Sequence, residues 1–394
     1  MTIRRHTILA AALAAGTALA GTAARAEDPI KIGFLSTFSG PGGQLGQELL
    51  DGFTLALDKT GNTLGGRAVE VIQGDDQAKP DVGRQVADKM IERDKVQILT
   101  GVNFSNVMLA VAKPALDAGA FVVSVNAGPS QYAGAQCNPH FFVGSFQNDT
   151  SPEAMGLEAT KRGIKKMYLM APNYPAGKDF LAGFKRTYKG EVVGEVYTAF
   201  GQLDYAAEIA QVRATAPEGV FFFYPGGMGI NFVKQYDQAG LKKTTPLFGP
   251  SFSLDQTVLP AMGDAAVGAF AATHWAEDAD DAASKAFREA FEAKYHRLPS
   301  PNAAQAYDTV MMLDAALKTV SGKIEDAAAF QKALETVKFD SLRGHFRFNT
   351  NHYPVQDFWL AEVVKDAQGR PLMAKRTLIV ADHPDSYVAK CKMK

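Results

Sequence analysis

Residues 30–58 of the chain read IKIGFLSTFSGPGGQLGQELLDGFTLALD and show the pattern from which the fold can be predicted. The stretch begins with the apolar run IKIGFL and continues into a loop of Ser, Thr, Gly and Pro, which is typical of a strand that ends near Ser36. Apolar side chains then recur every four residues from Leu45 to Leu57, which predicts a helix with one buried face. The stretch is therefore a βα unit.

The same alternation continues downstream. The sequence predicts strands over 68–74, 96–101 and 121–125, with helices over 80–93 and 105–117 between them. Strands that read as continuous apolar runs between amphipathic helices indicate a parallel sheet covered on both faces. These residues therefore form an α/β lobe.

A second series begins near Phe141. It predicts strands over 167–171, 219–224, 247–248 and 267–272 with helices between them. Helices then dominate residues 281–337, and the tail returns to strands at 345–348, 358–364 and 377–380. A single continuous second lobe does not explain why a group of helices is followed by further strands. We therefore expect the chain to cross back to the first lobe and then to the second again.

Length and charge narrow the class of protein. The chain has 394 residues, enough for two domains of ordinary size. Three of its 41 basic residues and no acid lie in residues 1–26, so the remainder carries 38 basic and 42 acidic residues, a net charge near −4. This charge argues against nucleic acid or an anionic membrane as a partner.

The first 26 residues read as an export signal. Arg4 and Arg5 precede an Ala-rich apolar core, and residues 24–26, Ala-Arg-Ala, form a small-x-small cleavage site. An uncleaved anchor helix is the alternative, but the core is short for a bilayer span. We expect cleavage after Ala26 and a periplasmic protein without a lipid anchor, since the residue directly after the cut is Glu27 and not a cysteine.

The two cysteines of the chain, Cys137 and Cys391, both lie after the predicted cut. In an oxidising compartment a pair is more often bridged than free. We therefore predict a disulfide that fixes the C-terminal tail; two separate thiols are the alternative.

Two neighbouring strand ends carry groups that suit an anion. Phe104 and Ser105 follow one predicted strand, with Ser105 at the expected N-cap of the next helix. Asn126, Ala127 and Gly128 follow the next strand, and glycine lets a backbone amide approach an anion closely. Each loop alone fits an ordinary cap or turn. Because both lie at the carboxyl edge of one sheet, we predict a ligand site there.

The second lobe offers aromatic residues at the matching places. Tyr174 and Phe252 follow predicted strands and Tyr224 comes at the end of one, all among Pro and Gly. Aromatic side chains at strand ends often belong to the core, as we expect for residues 221–223. Tyr174, Tyr224 and Phe252 can instead close over a flat or apolar ligand.

These segments together resemble a known family. From KIGFLSTFSGPGGQLGQ through DDQAKP, ILTGVNFSN, FVVSVNAGP, FFFYPGGMG, FGPSFS and GDAAVGAF to AAQAYD, the chain is similar to type I periplasmic solute-binding proteins of the leucine/isoleucine/valine-binding family, which serve ABC importers. The resemblance implies carboxylate-binding loops at Ser105 and residues 126–128, and an aromatic wall at Tyr174 and Tyr224. It also adds Gln44 to the candidate ligand-binding residues.

The family implies an α/β fold of two Rossmann-like lobes with parallel sheets, joined by three crossovers and closing around a ligand in the cleft between them. We expect residues 27–146 with 273–340 to form the N-terminal lobe, and residues 147–272 with 341–394 to form the C-terminal lobe. The expected partners are a small carboxylate and the membrane permease of an ABC importer, and a monomer is expected.

One position departs from the family pattern. Amino-acid binders of this family place an acid just after the Gly-Pro that matches residues 249–250, to pair the ligand ammonium, but this chain has Ser251 and Phe252 there. Burying an ammonium without a partner costs several kcal/mol. We therefore predict a carboxylate without an amino group, in the manner of the benzoate or hydroxycinnamate binders; Asp75 or Asp76 as the source of the missing charge is the alternative.

Other classes of function are less compatible with the sequence. Residues 249–253, Gly-Pro-Ser-Phe-Ser, only approach a nucleophile elbow, and the histidines show no paired metal spacing. Gly40, Gly42 and Gly46 miss the dinucleotide fingerprint by one residue. We expect no catalytic residues, no metal and no cofactor. An amino-acid binding protein of the same family and a soluble sensor for a membrane receptor stay open as alternatives.

Overall fold

The fold is taken from a computed structural model, which describes residues 27–393. The predicted signal peptide and its cleavage site lie outside the described residues. Among the helices of residues 27–393, none is long and apolar enough to cross a membrane.

The first lobe is built on a six-stranded sheet with the order β2-β3-β1-β4-β5-β6. Its strands are β1 (Ile30–Ser36), β2 (Thr63–Leu64), β3 (Arg67–Asp75), β4 (Ile98–Thr100), β5 (Phe121–Ser124) and β6 (Phe141–Val143). The helices between them are α1 (Gly43–Lys59), α2 (Pro80–Glu92), α3 (Ser105–Asp117) and α4 (Ser130–Ala133). All neighbours are parallel except the short β2–β3 hairpin.

The second lobe contains an eight-stranded sheet with the order β12-β13-β11-β10-β9-β7-β8, and β14 pairs with β13. Its strands are β7 (Lys166–Pro172), β8 (Glu191–Thr198), β9 (Gly219–Phe222), β10 (Leu247–Pro250), β11 (Phe270–Thr273), β12 (Arg347–Phe348), β13 (Pro354–Lys365) and β14 (Pro371–His383). Helices α5 (Thr150–Lys161), α6 (Pro175–Thr187), α7 (Ala206–Thr215), α8 (Gly227–Gln238) and α9 (Leu259–Met262) connect the parallel strands.

The last strands add an antiparallel edge to the predicted parallel sheets. Strand β13 is antiparallel to β11, β12 and β14. A turn over residues 366–370 joins β13 to β14, and a connection that short can link only antiparallel neighbours. The second sheet is therefore parallel in its centre and antiparallel at one edge.

The chain passes between the lobes three times. The first crossover spans residues 144–149, the second 274–281 and the third 336–346. Between the second and third lie α10 (Ala282–Tyr295), α11 (Pro301–Thr319) and α12 (Ala327–Glu335), whose apolar faces pack into the core of the first lobe. The predicted two-lobe α/β architecture with three crossovers is confirmed, whereas the lobe boundaries at single residues stay a prediction.

Strand β1 shows how the first core is divided. Successive side chains of a strand point to opposite faces of the sheet. Ile32 and Phe34 therefore pack with α1 and α11, whereas Leu35 packs on the other face with α2 and α3. Helix α11 begins at Pro301 because the side chain of Ser300 accepts hydrogen bonds from two of its first amides.

The predicted disulfide between Cys137 and Cys391 is confirmed, with the two Cα atoms 5.6 Å apart. Cys137 follows α4 in the first lobe, and Cys391 follows β14 of the second sheet. The bridge therefore ties the C-terminal tail to the first lobe across 254 residues of sequence.

Candidate functional site

The two lobes face each other across a cavity at the carboxyl ends of β4, β5, β7, β9 and β10, the edge at which open α/β sheets bind ligands. Six predicted site residues line it: Phe104, Ser105, Asn126, Ala127, Tyr174 and Phe252. The volume in this conformation is about 30 Å³. An apolar cavity that takes benzene measures about 150 Å³, so a ring enters only when the lobes or side chains move.

The first lobe contributes a polar face that centres on Ser105. Ser105 is the first residue of α3, whose N-terminus carries a partial positive charge and amides without partners inside the helix. Asn148, in the first crossover, donates from Nδ2 to Ser105 Oγ at 3.1 Å. Because this oxygen accepts from Asn148, the Ser105 hydroxyl keeps its own proton for a ligand acceptor. This end of the cavity suits a carboxylate.

Neutral amide side chains extend the polar face. Asn126 donates from Nδ2 to the carbonyl of Asn103 at 2.9 Å and accepts at Oδ1 from Gln305 Nε2 at 2.8 Å. Asn103 accepts at Oδ1 from the amide of Thr37, while its Nδ2 is buried without a hydrogen-bond partner among residues 27–393. Buried amide donors are rarely left unpaired, so this group favours a ligand acceptor in the cavity.

The second lobe contributes an apolar face of aromatic rings. Phe180 and Phe223 stack at 3.8 Å between ring centroids, and Tyr174 lies 6.2 Å from Phe223. On another side Phe252 stacks on Phe146 at 4.2 Å and an interplanar angle of 19°. Burial raises the pKa of the Tyr174 phenol, so that group stays neutral. Flat rings on two sides form a slot for an apolar, planar body.

No charged side chain lines this cavity within residues 27–393. The nearest acids lie behind lining amides: Asp179 accepts from Asn148 Nδ2 at 2.9 Å, and Asp255 accepts from Asn302 Nδ2 at 2.6 Å. Burial raises the pKa of Asp179, and it raises that of Asp255 to about 7. The lining therefore presents hydroxyl and amide groups but no carboxylate for a ligand ammonium.

The two acids that end β3 have local roles. Asp75 accepts from the amides of Phe38 and Gln77, both at 2.9 Å. Asp76 accepts from the amide of Ala78 at 2.8 Å and from the Thr37 hydroxyl. Neither lines the cavity, and both hold the loops beside β1.

Two predicted residues of the first lobe lie outside the cavity lining. Gln44 is exposed on α1, whereas its neighbour Leu45 lines the cavity. Gly128 is buried, and its amide donates to Asn148 Oδ1 at 3.2 Å instead of facing a ligand. A Cβ at this position would sit 2.0 Å from the carbonyl oxygen of Phe146, so the glycine serves a close approach between the loop and the first crossover.

Two predicted residues of the second lobe also lie outside the lining. Tyr224 packs into the core against Tyr205 and Phe232, at 4.8 and 5.2 Å between ring centroids, and Phe223 faces the cavity instead. Neighbouring residues of an extended segment point to opposite sides, so only one of the two can do so. Ser251 begins a short 3-10 turn and is fully buried, which leaves Phe252 to enter the cavity.

Several lining residues were not predicted from the sequence. Asn148 and Phe146 belong to the first crossover, which follows no predicted strand end. Asn302 lies at the start of α11, where the Ser-Pro pair at residues 300–301 is a usable signal for a helix N-terminus. Asn103, in the loop after β4, was also not among the predicted residues, and the remaining ones are apolar: Leu45, Ala176, Phe180, Phe223 and Pro225. Within the described residues no cluster of His, Cys, Asp or Glu could hold a metal ion.

Comparison with known proteins agrees with this geometry. The family model described as periplasmic binding protein matches residues 29–369. A solute-binding protein of an ABC transporter from R. palustris, solved in complex with benzoate, is 32% identical with a TM-score of 0.88, covering 93% of this chain and 100% of that one. One from Rhodopseudomonas palustris BisB5, in complex with 3,4-dihydroxy benzoic acid, is 29% identical with a TM-score of 0.86, covering 91% and 99%.

A curated relative points to the same group. The Leu/Ile/Val-binding protein homolog 6 of Brucella melitensis biotype 1 is 28% identical over 361 residues, which cover 89% of this chain and 91% of the relative. The family match extends over most of the chain and includes both lobes and the cleft between them. The chain therefore belongs to the periplasmic binding proteins, as a type I solute-binding protein of the Leu/Ile/Val-binding family.

Proposed function

We propose that this protein captures an aromatic carboxylate of the benzoate or hydroxycinnamate type and delivers it to the permease of an ABC importer. The carboxylate is bound at the first lobe by the Ser105 hydroxyl, the N-terminus of α3 and the amides of Asn103 and Asn126. The ring lies against Tyr174 and the other aromatic side chains of the second lobe. The protein acts as a monomer and performs no chemical reaction on its ligand.

One observation carries the choice of ligand. The cavity has a polar face of neutral donors and an aromatic face, and its lining within residues 27–393 includes no carboxylate. A ligand carboxylate finds donors there, whereas a ligand ammonium would be buried without a charged partner, at a cost of several kcal/mol. The benzoate and dihydroxybenzoate bound by the two similar proteins support the same choice.

Lobe closure accounts for how the ligand is held. Contacts already join the lobes on either side of the cavity, such as Phe104 against Tyr174 at 6.4 Å and Asn302 to Asp255 at 2.6 Å. Because a cavity of about 30 Å³ is too small for a ring to enter, we propose that the lobes separate to admit the ligand and close again around it. The three crossovers provide the hinge.

A melting experiment tests this proposal. The mature protein is unfolded and refolded to remove carried-over ligand, and its melting temperature is then measured with benzoates, hydroxycinnamates, 2-oxo acids and branched-chain amino acids. A ligand that prefers the folded state raises the melting temperature. The proposal expects a rise with aromatic acids, and a rise with leucine or valine alone would contradict it.

A second candidate is an amino-acid binding protein, which the Leu/Ile/Val-binding relative favours. In that case an acid has to reach the ammonium, and Asp255 is a candidate because it lies directly behind Asn302 of the lining. A soluble sensor for a membrane receptor would use the same site. A permease gene beside the gene for this protein favours transport over sensing.

A further inference from the structure

An exposed phenylalanine lies at the mouth of the cavity without belonging to its lining. The side chain of Phe200, in the loop after β8, is 37% exposed. Its ring nevertheless lies edge-on to Phe104 at 5.5 Å between centroids and an interplanar angle of 88°, and 4.9 Å from Tyr174. Phe104 and Tyr174 both line the cavity, so Phe200 covers two of its walls from outside.

The backbone around Phe200 is built to present it. The amide of Gln202 donates to the carbonyl of Ala199 at 3.1 Å, which closes a β-turn with Phe200 and Gly201 at its centre. Gly201 has φ of +90°, which fits the third position of a type II turn and which residues with a side chain rarely adopt. The Gln202 side chain fixes the turn further by accepting from the amide of Ala199 at 3.3 Å.

The two ring contacts of Phe200 differ in what happens when the lobes open. Tyr174 belongs to the second lobe, as Phe200 does, so that contact is kept. Phe104 precedes α3 in the first lobe, so its contact with Phe200 crosses the cleft and is lost on opening. Opening also returns more of an already exposed apolar ring to water, which is unfavourable.

We propose that Phe200 is a latch that holds the closed lobes together and slows the release of the ligand. The proposal rests on the proposed function for the ligand, whereas the contact between Phe200 and Phe104 involves only residues of the protein. Because an interaction present only in the closed state must break before release, its loss speeds dissociation more than it changes association. The latch sets how long a ligand stays and leaves its recognition to the lining residues.

The test compares dissociation rates of benzoate from Phe200→Ala and the wild type, measured by displacement in a stopped-flow instrument. An aromatic edge-to-face pair predicts release about 2- to 12-fold faster in the variant. Phe200→Tyr keeps the ring and should release at nearly the wild-type rate. Leu157→Ala is the matched control, because Leu157 is also 37% exposed but lies on α5. An unchanged rate in Phe200→Ala, or an equal increase in Leu157→Ala, overturns the latch.

A second measurement needs no ligand and separates the two proposals. Spin labels at Lys113→Cys and Lys189→Cys, exposed positions in α3 of the first lobe and after α6 of the second, report the distance between lobes. Phe200→Ala should shift the ligand-free distances toward longer values, and an identical distribution contradicts the latch. If the wild type binds no benzoate but Phe200→Ala lengthens these distances, the proposed ligand is wrong and the latch stands.

Discussion

Asn148 donates a hydrogen bond to the hydroxyl oxygen of Ser105 at 3.1 Å, which joins the first crossover to the start of α3. The same Asn148 nitrogen donates to Asp179 of the second lobe at 2.9 Å, and its oxygen accepts from the amide of Gly128 at 3.2 Å. Asn148 thus positions Ser105 and accepts the hydrogen bond of the Gly128 amide, which is then not available to a ligand. The Ser105 hydroxyl is therefore the donor of this cluster that remains for a ligand carboxylate.

Ser105→Ala should weaken the binding of an aromatic acid by about 1 to 3 kcal/mol, because it removes a hydrogen bond to a charged group and one of the two acceptors of Asn148. Isothermal titration of benzoate measures the change in Kd. Thr319→Ala, which removes a hydroxyl from the exposed end of α11, is the control and should bind as the wild type does. Equal affinity in Ser105→Ala removes Ser105 from the site.

Phe252→Ala should cost aromatic ligands more than aliphatic ones. Phe252 stacks on Phe146 at 4.2 Å, and the pair forms one flat side of the slot. A planar ring gains from stacking that an aliphatic chain does not, by about 0.5 to 1.5 kcal/mol. The measurement is the ratio of the Kd values for benzoate and for an aliphatic acid such as 4-methylpentanoate. An equal loss for both acids argues that Phe252 only fills space.

The pH dependence of stability should report the buried carboxyl of Asp255. Burial raises its pKa from 3.8 to about 7, the charge of Glu48 adds to the rise, and hydrogen bonds from Thr257 oppose it. Between about pH 4 and pH 7 the folded protein keeps this proton and the unfolded chain does not, so the contribution of this group to stability falls as the pH rises.

Asp255→Asn stays neutral at every pH and escapes this loss. The free energy of unfolding of the variant, minus that of the wild type, should therefore grow as the pH rises from about 4 to about 7 and stay level above. Denaturant titrations at several pH values measure it. Burial also raises the pKa values of Glu48 and Asp149 to about 7. Both residues are present in the variant and in the wild type, so their contributions to the difference in free energy of unfolding largely cancel. A constant difference across the range contradicts the assignment to Asp255.

Removing the disulfide should lower stability without changing recognition. The bridge between Cys137 and Cys391 closes 254 residues of sequence, so its loss from the double Ser variant should lower the free energy of unfolding by about 2 to 5 kcal/mol. Neither cysteine lines the cavity, so the Kd for ligand should stay within about twofold of the wild type. Unchanged denaturant midpoints in the variant would show that the bridge adds no stability.

The sequence predicted the fold well because its strands and helices carry strong periodic signals. The helix predicted over 105–117 is α3, and the one predicted over 80–93 is α2 with one residue fewer. The antiparallel pairing of β13 and β14 was not predicted. The sequence pattern of a single strand does not tell which neighbouring strand it pairs with, or in which direction.

The candidate site was predicted in part, and the reasons differ by residue. Ser105 and Asn126, predicted from strand ends, line the cavity, because the edge of a parallel sheet is fixed by topology. Tyr224 was predicted to face the cleft, but Phe223 does so instead. Neighbouring residues of an extended segment face opposite sides, and composition does not tell which of the two sides faces the cleft. Asn148 was missed because it lies in a crossover and is brought to Ser105 only by the packing of the lobes.

The choice of ligand is tested most directly by a comparison of two ligands that differ only in an amino group. The Kd of 3-phenylpropanoate and that of L-phenylalanine are measured on refolded protein by isothermal titration. Because no carboxylate lines the cavity within residues 27–393, we predict that the acid without the ammonium binds more tightly, by several kcal/mol. Tighter binding of phenylalanine would refute the proposed ligand class and would place an acid such as Asp255 at the ligand.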